Sequence, residues 1–198
     1  MHTGALPDSL SGPSQAPAAR LEARSFEQVY EELFPFVWRV ARRLGVAESA
    51  LDDVCQDTFV VVHRRLGEFE GRSSLKTWVF GIMHHVVSNH RRTQARKSPG
   101  HRADASVDLE TLASSLRAPD DAASDAEAAR IAHAMLAQLD DDKRSVFVLV
   151  ELEGLGVPEV AEATGTNINT IYARLRAARS EFSATVARFH AAERRRAP

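Results

Sequence analysis

Asp52, Asp53, Gln56 and Asp57 stand close together in a stretch whose apolar residues recur at helical spacing, and Asp53, Gln56 and Asp57 lie within one helical turn. Such a face accepts hydrogen bonds and complements a basic partner. A second group has the opposite sign: His90, Arg91, Arg92, Arg96 and Lys97. A third runs through Arg174, Arg176 and Arg179 to Arg188 and Arg194, Arg195 and Arg196, opposed only by Glu181 and Glu193. A stripe of this kind neutralises phosphates. Just before it, Asn169, Thr170, Tyr172 and Ala173 offer short hydrogen-bonding or apolar contacts of the sort that read base edges from the first turns of a helix. The alternative for each stripe is a solvated helix face with no partner.

The remaining reactive side chains do not assemble into a catalytic set. The chain has eight histidines, but His84 and His85 are adjacent, and neighbours on a helix point roughly 100° apart. Neither that doublet nor Asp52-Asp53 makes a chelating pair of the i, i+4 kind. There is no Gly-rich phosphate loop and no nucleophile elbow. We therefore expect no enzyme activity, no metal, no cofactor and no small-molecule substrate. The single cysteine, Cys55, excludes an internal disulfide. It sits on an apolar stripe beside Val54 and Phe59, where a small buried thiol is commoner than a redox switch.

The elements that must position these groups are helices. The 198 residues carry a formal net charge of −2, so any nucleic-acid contact comes from local clustering rather than a basic average. Residues 1–20 are rich in Pro, Gly and Ser and read as disordered; they lack the pattern of a secretory signal. Helical periodicity runs from Phe26 to Leu44, with Pro35 as a bend and Gly45 as a C-cap, and again from about Glu48 to Leu66. A loop spans Gly67 to Ser74, and a third helix runs from Leu75 to about Arg96. From Ser98 to about Asp125 prolines, small residues and acids mark a linker, with a transient helix near Leu109 to Leu116.

Beyond it an Ala-rich helix and a helix through Val146 to Leu152 form a hairpin. Pro158 opens a short helix, Gly165 takes a tight turn, and Thr166 or Asn167 caps a long final helix. This is a helix-turn-helix, with Ala161 at the crossing and Ile171 and Leu175 as anchors. The expected fold is all-α: two small helical domains, 21–97 and 126–190, joined by a flexible linker, 98–125, with a basic tail at 191–198. No apolar run approaches the roughly 18 residues of a membrane span.

A stand-alone helix-turn-helix regulator would leave the first hundred residues unexplained. There, Leu51 to Phe59, Phe69, Trp78 to Ile82 and Asn89 to Arg92 resemble, in order and spacing, region two of the extracytoplasmic-function sigma factors of bacterial RNA polymerase. Leu139, Arg144 to Leu149, Glu153 to Leu155, Pro158 to Ala161, Thr170-Ile171, Arg174-Leu175 and Ala178-Arg179 resemble region four of that family.

The resemblance implies a cytoplasmic promoter-recognition subunit, with core RNA polymerase and promoter DNA, duplex and melted, as partners. It implies an anti-sigma protein too, which could hold the chain at the inner membrane. Asp52, Asp53, Gln56 and Asp57 would dock on the polymerase clamp. Arg72, Ser73, Lys76, Trp78, His85, Asn89, Arg92 and Arg96 would contact the minus-ten element, where a loop pocket holds an extruded base; Arg91 and Lys97 would track the backbone.

Trp78 is read either as support for that loop or as core, and His84 and His85 as DNA contacts or packing residues. Asn169, Thr170, Tyr172, Ala173, Arg174, Arg176 and Arg179 would meet the minus-thirty-five duplex. The family often has Gly, Lys or Arg, Ser and Arg where this chain has Asn169, Tyr172, Ala173 and Ala177, so its usual promoter sequence does not transfer. The linker acids, Asp120 and Asp121 among them, would mimic nucleic acid in a basic channel.

Overall fold

A computed structural model describes residues 24–97 and 121–195, and all regular elements among them are helices. Helix α1, Phe26–Arg43, starts at a capping box: Ser25 Oγ accepts the Gln28 N–H at 3.4 Å, and Gln28 Oε1 accepts the Ser25 N–H at 3.2 Å. Pro35 lies inside it, and Val29, Leu33, Phe36, Val37, Val40 and Ala41 form the buried stripe. Gly45 ends it at φ 90°, a left-handed turn that a Cβ resists. Helix α2, Glu48–Arg65, runs into a 3₁₀ turn at Leu66–Glu68. Helix α3 covers Leu75–Lys97.

Helix α4, Asp121–Ala137, begins within the span read as linker, so 121–125 are helical; 98–120, including Asp120 and the transient helix, lie outside the described residues, as do 1–23. Helix α5, Asp141–Phe147, is capped by Asp140, whose Oδ1 accepts the Lys143 N–H at 2.9 Å, and continues as a π-helical turn over Val148–Leu152. Helix α6, Val157–Thr164, has proline in its first turn and ends at Gly165, φ 63°. Helix α7, Ile168–Arg194, is capped by Asn167, whose side chain accepts the Asn169 N–H at 2.9 Å. It absorbs residues 191–194 of the expected tail.

The two helical sets share one apolar cluster, which runs from Val29 through Phe80 and Val87 to Leu149, Val160, Ile171 and Ala178. Met135 and Phe189 form a smaller cluster tying α4 to the far end of α7. Cys55 is buried at 1% exposure. Burial, then the charge of Asp52, pushes its thiol up to about 11. A thiol reagent is therefore expected to modify Cys55 only as the chain unfolds, with labelling tracking the unfolding transition; fast labelling of the native protein would contradict this burial.

Candidate nucleic-acid and protein interfaces

Helix α2 buries Leu51, Val54, Cys55, Thr58, Phe59 and Val62, and the same periodicity turns Asp52, Asp53, Gln56 and Asp57 outward, all exposed. Asp52 and Gln56 border a groove of about 700 Å³ floored by Phe26, Tyr30, Phe34 and Phe59. Those rings pack edge-on and tilted, Tyr30 to Phe59 at 4.7 Å between centroids and Tyr30 to Phe34 at 5.3 Å. Tyr30 and Val60 keep 40% and 41% exposure, so acidic and apolar surface adjoin on one face.

The residues expected to meet the minus-ten element separate into groups. Ser73, Trp78, His85 and Asn89 come together along one groove of α3, with Thr77, Gly81 and Val86. Arg92 and Arg96 are exposed farther along the helix, and Arg92 donates to Ser88 Oγ at 3.1 Å. Arg72 is exposed in the preceding loop and pairs with Glu70 at 3.0 Å. Trp78 satisfies both of its readings: it packs against the core and its ring stands 5.3 Å from Phe69 of the loop. His84 and His85 part as helical geometry requires. His85 is exposed; His84 is half-buried beside Phe80, and burial, then the nearby His85 and Arg91, hold its pKa low.

Lys76 departs from this set. It faces the segment between α5 and α6, its Nζ 3.1 Å from the Glu153 carbonyl and 3.7 Å from the Glu153 carboxylate, above the Phe36 ring at 4.7 Å. The Glu153 side chain is 2% exposed and also takes Arg39 at 2.9 Å and Arg43 at 2.6 Å. Nothing in the spacing of these residues predicts that junction, because its partners lie 77 to 114 positions apart. Around it Thr77 Oγ1 donates to Glu159 at 3.1 Å, and Arg91 pairs with Asp141 at 3.2 Å. Arg144, 7% exposed, donates to the Arg43 carbonyl at 2.6 Å and caps the carboxyl end of α1. Burial, then the neighbouring Arg91, lowers its guanidinium to about 10.

Burial alone would raise the Glu153 carboxyl, but the hydrogen bond and charge of Arg39, then the charges of Arg43 and Lys76, leave it below its ordinary value. A carboxyl so lowered stabilises the fold fully above its unfolded pKa, and the contribution is lost as pH falls through the folded value. Wild type is thus expected to lose stability relative to Glu153→Gln between the ordinary glutamate range and more acidic pH, as read by urea denaturation of both at several pH values. Parallel curves would contradict this.

On α7, Ile171 and Leu175 are buried at 0% and 3%, which fixes the helix rotation and leaves Asn169, Thr170, Tyr172, Ala173 and Arg176 exposed, Tyr172 at 54%. Arg174 pairs with Asp142, and Arg179 with Glu151 at 2.6 Å. Arg176 makes no ion pair among the described residues. No helix among these residues is long and apolar enough to cross a membrane.

Comparison with known proteins matches this architecture at both ends. Residues 29–97 match the model of Sigma-70 region 2, and residues 129–182 that of Sigma-70, region 4. The chain is 30% identical over 173 residues to the RNA polymerase sigma factor CnrH of Cupriavidus metallidurans, covering 85% of this chain and 90% of that one. It is 30% identical over 165 residues to the ECF RNA polymerase sigma factor SigC of Mycobacterium tuberculosis, covering 82% and 83%. The solved structure of CnrH in complex with the cytosolic domain of CnrY superposes with a TM-score of 0.60 at 26% identity, covering 86% of this chain and 94% of that one. With both regions present in order on one helical scaffold, the chain belongs to the sigma-70 family, as an ECF-type sigma factor that directs RNA polymerase to initiate transcription at specific promoters.

Proposed function

We propose that this sigma factor uses three faces in turn. Asp52, Asp53, Gln56 and Asp57, with the aromatic groove beside them, dock on the basic clamp of core polymerase. The α3 groove of Ser73, Trp78, His85 and Asn89, with Arg72, Arg92 and Arg96 around it, holds the melted non-template strand of the minus-ten element. The start of α7, through Asn169, Thr170, Tyr172 and Ala173 with Arg174, Arg176 and Arg179, reads the minus-thirty-five duplex.

The observation that carries the reading is the rotation of α7. Its anchors are fully packed, yet its first turns present hydrogen-bonding and aromatic side chains to solvent with no partner among the described residues. Such an exposed row is what a recognition helix offers the major groove.

The chemistry of opening DNA needs no catalytic side chain here. Unstacking a base costs a few kcal/mol, and a pocket that rewards only the right base offsets that cost selectively. The protein works where polymerase and DNA are, in the cytoplasm. An anti-sigma protein held at the inner membrane and covering the docking faces would keep it silent until a signal arrives; the complex of CnrH with the cytosolic domain of CnrY supports a partner of this kind.

Run-off transcription with purified bacterial core polymerase on a promoter library tests the reading, with initiation expected from a discrete subset of promoters. Failure to direct initiation from any of them would end it. On a promoter so identified, Arg176→Ala is expected to weaken binding of the holoenzyme across sequences and to lower the slope of log affinity against log salt by about 1, as one lost phosphate contact does. An unchanged slope would remove Arg176 from the interface.

A further inference from the structure

The α3 groove is not open in this conformation. Glu162 and Ala163 of α6 complete its wall, alongside Ser73, Trp78, His85 and Asn89. The approach is close: a Cβ on Gly81 would stand 3.0 Å from the Ala163 carbonyl oxygen. In the segment before α6, Glu153 has its buried carboxylate enclosed by Arg39, Arg43 and Lys76, cations that all come from region 2. Lys76 therefore belongs to the same loop-and-helix segment as the groove residues but is occupied by region 4. A strand laid along α3 and the helix α6 need the same space, and a phosphate and the Glu153 carboxylate need the same cations.

We infer that region 4 is an internal competitor of single-stranded DNA: the Glu153 carboxylate, seated in the cationic cradle of Arg39, Arg43 and Lys76, latches α6 over the α3 groove, so the free chain is closed to the melted strand until region 4 is lifted away. This rests on the minus-ten role proposed for that groove. The ligand class of the cradle follows from its chemistry. Three converging cations, of which Lys76 lies over the Phe36 ring, take an anion, a carboxylate in the closed chain and a backbone phosphate in the open one. A closed state that must open first lowers apparent affinity by the fraction of open molecules.

The test uses the full chain with no polymerase. Dyes on Ser49→Cys and Ser180→Cys, both exposed positions on opposite regions, report their separation by energy transfer in a Cys55→Ala background. Glu153→Gln removes the charge at nearly constant size, and Gly81→Val wedges α6 from α3 without touching a charge. Both are expected to lengthen the separation. Glu153→Gln is also expected to bind short random-sequence single-stranded DNA roughly tenfold more tightly than wild type, the gain of a chain that no longer has to open. Glu31→Gln, the same charge change on an exposed site of α1, controls for net charge and should bind like wild type.

A Glu153→Gln chain that stays closed overturns the latch, and one that opens without tighter DNA binding overturns the competition. If it opens and binds more tightly, but Trp78→Ala with Asn89→Ala leaves the gain intact, the strand lies elsewhere. In that case the minus-ten assignment falls while the latch stands.

Discussion

Phe80→Ala is expected to cost about 3–5 kcal/mol of folding stability, the range for emptying a fully buried aromatic site. Phe80 is 0% exposed and belongs to the cluster shared by both regions. The neighbours that would close over the cavity are themselves anchored, with Val79 at 0%, Met83 at 0% and Val87 at 2% exposure on the same helix. Relaxation should therefore be partial, which places the cost toward the upper part of that range. A domain of this size has a net stability of about 5–15 kcal/mol, so a loss of about 5 kcal/mol removes from roughly a third of that stability to nearly all of it.

Urea denaturation followed by circular dichroism reads the change as a lowered midpoint. Phe80→Leu should fall between, because it keeps most of the buried volume. Tyr172→Ala supplies the contrast: at 54% exposure, with no packing role, it should stay within about 0.5 kcal/mol of wild type. A Phe80→Ala cost below about 1 kcal/mol would mean that the core is not where the structure puts it.

Most of the helical architecture was legible in the sequence because it is written in local terms. Apolar spacing in α1, α2 and α3, Gly45 and Gly165 at positive φ, and Pro158 in the first turn of α6 each act within a few residues. The outward rotation of Asp53, Gln56 and Asp57 follows from the burial of Val54, Cys55 and Phe59 between them. The start of α4 at Asp121 was missed, since Ala, Ser and Asp in that stretch form no apolar stripe to mark a helix.

The docking of the two regions was not legible at all. Glu153 has an ordinary place in a region-four motif, and nothing near it in sequence announces that Arg39, Arg43 and Lys76 will enclose it. Lys76 shows the consequence. The family resemblance implies a DNA contact for it, while in this fold its ammonium is held by Glu153. Similarly Arg174 and Arg179 count as free charges in a sequence stripe, although Asp142 of α5 and Glu151 of the turn that follows it pair with them. Arg176, without an ion pair among the described residues, then carries more of the unpaired charge of α7 than the stripe implied.

Asp53→Ala combined with Gln56→Ala is expected to abolish most polymerase-dependent initiation while leaving the folded chain intact. Both side chains are exposed on the polar face of α2 and make no hydrogen bond to other described residues. Their removal should shift stability by no more than about 0.5 kcal/mol. In a complex, however, each would lose a hydrogen bond to a basic or polar group, and bonds to charged groups contribute roughly 1.5–3 kcal/mol. Even the lower figure for each, taken together, weakens binding by about a hundredfold, since 1.4 kcal/mol is a factor of ten.

In the proposed docking, Asp53 would supply charge complementarity that steers encounter, so part of that loss should be in the encounter rate and should shrink as salt rises. Run-off transcription at limiting core polymerase reads the effect, and raising the polymerase concentration should restore product with the promoter preference unchanged, because the α3 groove and α7 are untouched. If the double variant matches wild type at limiting polymerase, the docking face lies elsewhere on the chain. If product cannot be restored at any concentration, Asp53 and Gln56 act after docking, in a step that binding alone does not describe.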